Sequence, residues 1–131
     1  MAEEKVDGIR NLLASYARAC DGGRFDELEQ MFRSDAFFDA AGQIFKGAAA
    51  IRAELERRMT PERRGRHVIS NTSIALNTDG TAWVVSDFMA FRPDESGRLA
   101  VASAGQYDDL LRQEGDRWQF ERHVVTFSHR Y

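Results

Sequence analysis

The chain has a single cysteine, Cys20, so no disulfide can close within it and no cysteine-rich metal site can be built. A reducing compartment fits that usage, and the cytoplasm is the expected location. There are two prolines and no linker, repeat or low-complexity tract. The first ten residues lack the cationic start and apolar core of a secretory signal, and no run approaches the ~20 apolar residues that a membrane span needs. No membrane association is expected. Lysine and arginine total 18 against 21 acids, for a net charge of −3, and no basic stripe is interleaved with aromatics. The electrostatic footprint of a nucleic-acid binder is therefore missing. Histidines and acids do not fall at metal-ligand spacing such as H-x-x-x-H, and no glycine-rich phosphate loop follows a strand. Neither a metal nor a nucleotide cofactor is expected. Serine and cysteine nucleophile contexts are absent too, and Cys20, on an apolar helical face, reads as packing.

What remains is ordinary globular material, 43% apolar and 30% charged, in a length of 131 residues that suits one domain spanning 1–131. Ile9, Leu12, Leu13, Tyr16, Ala17 and Cys20 recur with helical spacing and predict a first helix over 6–20. Asp21-Gly22-Gly23 breaks it, and Phe25, Leu28, Met31 and Phe32 predict a short second helix. A short strand over 36–39, a turn at Ala41-Gly42, the segment 44–46 and a third helix over 47–59 follow. Residues 57–66 contain five arginines. They read as a solvated loop after the helix, or as a rim that attracts an anionic substrate. Four long strands, 66–77, 81–92, 99–112 and 117–128, are separated by turn chemistry and predict an antiparallel meander. The fold class is α+β, three helices packed on a curved antiparallel sheet.

Breaks in strand alternation are where function shows, because an ionisable group on a core row must be paired or must line a cavity. Asp87 stands among Trp83, Val85, Met89 and Phe91, so either it faces a cavity or the even row of Val84, Ser86, Phe88 and Ala90 is the core side. Arg122 interrupts Trp118, Phe120 and Val124. An Arg122–Asp87 ion pair could simply pin two strands, or the two could line a pocket and hold a polar part of a substrate. His67 begins its strand, and Asp21 ends the first helix just past Tyr16 and Cys20. A carboxylate against that imidazole would set its tautomer and make a general base, whereas each residue alone also has a purely structural reading. His123 and His129 read as surface or interface residues.

The order of Tyr16-Ala-Arg-Ala-Cys-Asp21, Phe37-Phe38-Asp39, Phe45-Lys46-Gly47, Arg66-His67-Val68 with Asn71-Thr72, and the closing segment from Gly115 to Arg122 resembles the SnoaL-like branch of the NTF2-like superfamily. The resemblance spans nearly the whole chain. It implies a cone enclosing one apolar pocket, and within the superfamily the chain resembles the scytalone dehydratase, bile-acid 7α-dehydratase and lindane dehydrochlorinase families. Their cofactor-free eliminations imply Asp21 and His67 as the catalytic dyad, Tyr16 as its helper, and Asp87 and Arg122 as polar pocket positions, with Phe38, Met89 and Tyr107 completing a substrate-binding wall. Ala40 stands where scytalone dehydratases carry a second tyrosine, and Gly105 and Tyr107 stand in place of their strand serine and asparagine.

The expected activity is thus a dehydratase-type lyase acting on a small hydrophobic, cyclic molecule without a cofactor. An isomerase of the ketosteroid kind or a polyketide cyclase would use similar chemistry. A non-catalytic binding or assembly domain, such as a dioxygenase small subunit, would use the pocket or sheet differently. A homodimer or homotrimer is expected from the long strands carrying Trp83 and Trp118.

Overall fold

The computed structural model describes residues 1–131. Helix α1 (Ala2–Gly22) buries the predicted face, with Ile9, Leu12, Leu13, Tyr16, Ala17 and Cys20 turned inward. It stops at Gly23, which adopts a left-handed conformation with φ 66° and returns its N–H to the last carbonyls of the helix. Helix α2 (Phe25–Gln30) is shorter than its apolar spacing predicts, because Phe32 already belongs to strand β1 (Phe32–Ala40). A tight turn leads to β2 (Gln43–Lys46), then to helix α3 (Ala48–Arg58) and a single 3₁₀ turn at Pro61–Arg63. Strands β3 (Arg66–Leu76), β4 (Thr81–Pro93), β5 (Leu99–Glu114) and β6 (Arg117–Arg130) form the expected meander.

The six strands lie in the order β2-β1-β6-β5-β4-β3. All neighbours are antiparallel except β1 and β6, which run parallel. The sheet is therefore mixed, where sequence predicts a wholly antiparallel one. β6 closes against a strand contributed about 85 residues earlier, a pairing that no hairpin signal announces. The sheet does not close into a barrel, and the helices cover its concave face, giving the α+β cone.

Four irregularities bend the long strands, and each swaps which side chains face the core. In β6, Arg122 pairs with Leu110 while Phe120 pairs with Leu111, leaving Glu121 as an extra residue. The inward row is thus Trp118 and Phe120, then His123 and Val125. In β3, Asn71 takes φ 50° and, with Thr72, stands opposite Ser86. On β4 the even row of Val84, Ser86, Phe88 and Ala90 is buried. Trp83, Asp87 and Met89 are consequently on the outer face. Two further bulges, at Ala102 in β5 and Ser128 in β6, curl the opposite end of the meander.

Gly105 sits beside the Ser128 bulge, where β6 passes so close that a Cβ would run into the Thr126 carbonyl oxygen and the Phe127 Cα. Gly105→Ala should lower stability by about 1–3 kcal/mol, since backbone rather than a flexible side chain has to yield; urea unfolding measures it. Glu54 on α3 is nearly buried and bonded by Arg57 (2.8 Å) and Arg58 (2.5 Å). Its hydrogen bond from Arg57 holds its pKa below 4.5, against the opposing cost of burial. A depressed folded pKa contributes stability above the unfolded value that disappears as pH falls through the folded one. Glu54→Gln should therefore cost stability at neutral pH and little in strong acid, checked by thermal unfolding across that range.

Candidate active site

The last two turns of α1 place Tyr16, Cys20 and Asp21 over the concave face of the sheet, beside the first residues of β3. Since β3 is an edge strand, its outer N–H groups have no strand neighbour, and Asp21 serves one of them. The carboxylate oxygens accept from the His67 backbone N–H at 3.0 and 3.1 Å, and one also accepts from His67 Nδ1 at 2.7 Å. With Nδ1–H committed to the carboxylate, the neutral imidazole presents its lone pair at Nε2. The Asp21 side chain is 7% exposed and that of His67 is 19% exposed. The pair lines both the internal cavity and an outer groove between α1 and β3, which gives it a route to solvent.

A second Asp–His pair lies deeper. His123 Nδ1 is 2.5 Å from Asp109 Oδ1, and His123 Nε2 is 3.1 Å from the Tyr16 hydroxyl. Both side chains of the pair have no exposed surface, and Asp109 Oδ2 has no hydrogen-bond partner. Aromatic rings enclose them, with Phe38 stacked on the imidazole at 5.3 Å and Tyr16, Tyr107 and Phe120 around it. Burial pushes the Asp109 carboxyl upward, opposed by the attraction of His123. A net negative pair here would be costly, so burial favours a neutral one, whether ionic or carboxylic acid with imidazole. In either neutral form His123 Nε2 bears a proton and donates to the Tyr16 oxygen. The Tyr16 O–H is then left to donate elsewhere, and the Cys20 sulfur lies within its reach. Burial also raises the Tyr16 and Tyr107 hydroxyls well above their ordinary range, so both remain protonated donors, and it raises the Cys20 thiol, which argues against a thiolate nucleophile.

The cavity between these groups has a volume of about 90 Å³. Its wall includes Phe38, Phe88, Tyr107 and Phe127, and Arg58, Arg63, Arg64 and Arg92 also border it. It shares Arg58, Arg63, Arg92, Ser103 and Phe127 with a wider surface cleft of about 570 Å³. No three His, Cys, Asp or Glu side chains converge in a way that would hold a metal ion.

Of the residues expected from sequence, Asp21, His67, Tyr16, Phe38 and Tyr107 surround this cavity. Asp87, Arg122 and Met89 do not. Asp87 lies on the outer face of the sheet and accepts from Asn71 Nδ2 at 2.7 Å. Arg122, turned outward by the bulge at Glu121, covers the Phe37 ring at 4.9 Å, and no ion pair joins it to Asp87. Met89 is 39% exposed on the same outer face as Asp87. The reading of His123 as a surface or interface residue is corrected by the same bulge, while His129 is exposed. Asp109 is not among the residues expected from sequence, although it alternates with Tyr107 and Leu111 on a core row and interrupts it as an ionisable group.

The sequence matches the SnoaL-like domain over residues 3–124. It is 32% identical over 123 residues to the uncharacterized protein Rv2910c of Mycobacterium tuberculosis, covering 90% of this chain and 82% of that one. A candidate scytalone dehydratase from Novosphingobium aromaticivorans superposes with a TM-score of 0.85 at 23% identity, over 98% of this chain and 89% of its own. The beta subunit of a candidate aromatic-ring-hydroxylating dioxygenase from the same organism gives 0.86 at 15% identity, over 99% and 93%. These two structural likenesses are of fold. Given a sequence match that runs almost end to end and the cone that it implies, the chain belongs to the SnoaL-like family.

Proposed function

We propose that the protein is a cofactor-independent lyase that eliminates water from a small hydrophobic, cyclic hydroxy compound, with His67 as base and Tyr16 as acid. The observation that carries this reading is the presence of two independently held proton-handling groups on one apolar cavity. Asp21 leaves His67 Nε2 free to accept, and the neutral Asp109–His123 pair leaves the Tyr16 O–H to donate, either to the neighbouring Cys20 sulfur or to a substrate oxygen that displaces it. His67 removes a proton from carbon beside an activating carbonyl, and the C–H electrons become the new π bond. The C–O bond breaks toward oxygen, which takes the Tyr16 proton and departs as water. His123 Nε2–H remains bonded to the phenolate oxygen until the proton held by His67 returns to Tyr16 through that water. The candidate scytalone dehydratase offers a precedent in fold only.

General-base assistance contributes ~10²–10⁴-fold, and the remaining rate has to come from orientation in a water-poor cavity. Isomerisation would use the same base without loss of water, so product mass separates the two.

The test is a panel of cyclic β-hydroxy ketones, followed by enone absorbance and by mass. Turnover of at least one member is expected, reduced about 10²–10⁴-fold by His67→Gln and comparably by Asp21→Asn. No turnover by the wild type, or equal rates in His67→Gln, would overturn the assignment. A second experiment isolates the acid. Tyr16→Phe should slow loss of hydroxide by about 10²-fold, yet have less than about a tenfold effect on the matching acetate, which leaves without a proton. His123, which acts through Tyr16, is a positioning residue, and His123→Gln should show the same leaving-group split. Equal slowing of both substrates would mean that the buried pair serves only the fold.

A further inference from the structure

The arginines that border the cavity are not equivalent. Arg58 is engaged by Glu54, and Arg64 donates to the Met59 carbonyl at 3.1 Å and lies over Phe25. Arg63 and Arg92 are different. Neither forms an ion pair, because the chain's ion-paired arginines are Arg24, Arg33, Arg52, Arg57, Arg58 and Arg112. The two nonetheless lie near enough for the charge of Arg63 to help lower the pKa of Arg92, after the larger effect of burial. Arg130, also without a carboxylate, stacks over Phe127 at 3.8 Å in the adjoining cleft. Asp21 is the single carboxylate on the cavity lining, and it is committed to His67.

Arg92 is partly buried beside a second guanidinium, Arg63, and neither forms an ion pair, although Glu62 lies near Arg63; two like charges so placed at a cavity mouth are unfavourable. An oxyanion resolves that conflict, since the planar fork of arginine matches carboxylate and phosphate in two parallel hydrogen bonds. Aromatic side chains from three strands, Phe38, Phe88 and Phe127, adjoin this basic border.

We infer that the cavity takes a substrate with an apolar ring and an anionic oxygen group, the ring against Phe38, Phe88 and Phe127 and the anion on Arg63 and Arg92. This rests on the lyase reading for the word substrate, and it names the chemical class that such a lyase accepts. Neutral cyclic hydroxy ketones are held by the ring alone, so they turn over but bind more weakly than counterparts that also carry an anion. The anion also fixes orientation, because a molecule tethered at the arginines presents only one edge to His67.

The test is a titration of the full chain with benzoate, phenyl phosphate and neutral benzamide, followed by arginine Nε–H resonances. The anions should bind at least about tenfold more tightly than benzamide, the scale of one charge-assisted hydrogen bond. Arg63→Gln and Arg92→Gln should each remove most of that preference, and Arg10→Gln, in the outer groove, should not. Whichever of benzoate and phenyl phosphate binds better identifies the anion type. His67→Gln should keep the preference while losing turnover, so failure of the lyase assignment and failure of anion recognition are read separately. Arg63 is exposed and bonded to no other side chain, so its substitution leaves the fold intact even if Arg92→Gln does not. Equal affinity for benzoate and benzamide, a preference that survives both substitutions, or no saturation by any probe would overturn the proposal.

Discussion

The Asp21 carboxylate is the contact on which the rest of the site depends. It ends α1 and begins β3 at once, accepting from both the backbone and the ring of His67. Charge-assisted hydrogen bonds of this kind contribute about 1.5–3 kcal/mol each. Here they also do geometric work, since they set how far the helix stands from the edge of the sheet and therefore the width of the cavity. Tyr16 and Cys20 lie within the preceding turn and a half of the same helix, so their placement over the sheet follows from that anchor. Gly23 serves it too: only a left-handed residue ends the helix there, and the Arg64 guanidinium occupies the space where a Cβ would stand.

Two Asp–His pairs in one small domain differ above all in access to water. Asp21–His67 borders a groove open to solvent. Asp109–His123 is sealed among aromatic rings, where any net charge is costly. The same two side chains thus stand at a solvent-reached border in one place and in a sealed aromatic pocket in the other. Environments that separate similar groups in this way are how one cavity can hold a proton acceptor and a proton donor together.

How much of this was legible beforehand depends on whether the strands were regular. The helical face of α1 and the turns between β3 and β6 were plain, because periodicity and turn chemistry are local. The contact between Asp21 and His67 was suggested by position and by family resemblance, not by spacing. Asp87, Met89 and Arg122 were misplaced for one shared reason. Alternation shows that a row is interrupted but not which row faces inward, and a one-residue bulge reverses the answer midway along a strand. Past Glu121 the inward row passes from even to odd numbers, which sends Arg122 to the surface and His123 into the core. The segment rich in arginine looked like a solvated loop with a possible second role, and its composition alone could not say which of its guanidinium groups lack partners.

Sequence by itself determined the helices, the hairpins, the α+β class and the family, since these rest on short-range periodicity and on motif order. Only the tertiary structure decided the parallel pairing of β1 with β6, the burial of Asp109 against His123, and the meeting of Arg63 with Arg92 at the cavity. The first and the last join segments from separate elements, which no local pattern pairs; the second is a hairpin pair whose inward direction depends on the one-residue bulge at Glu121, an effect that local residues do not signal.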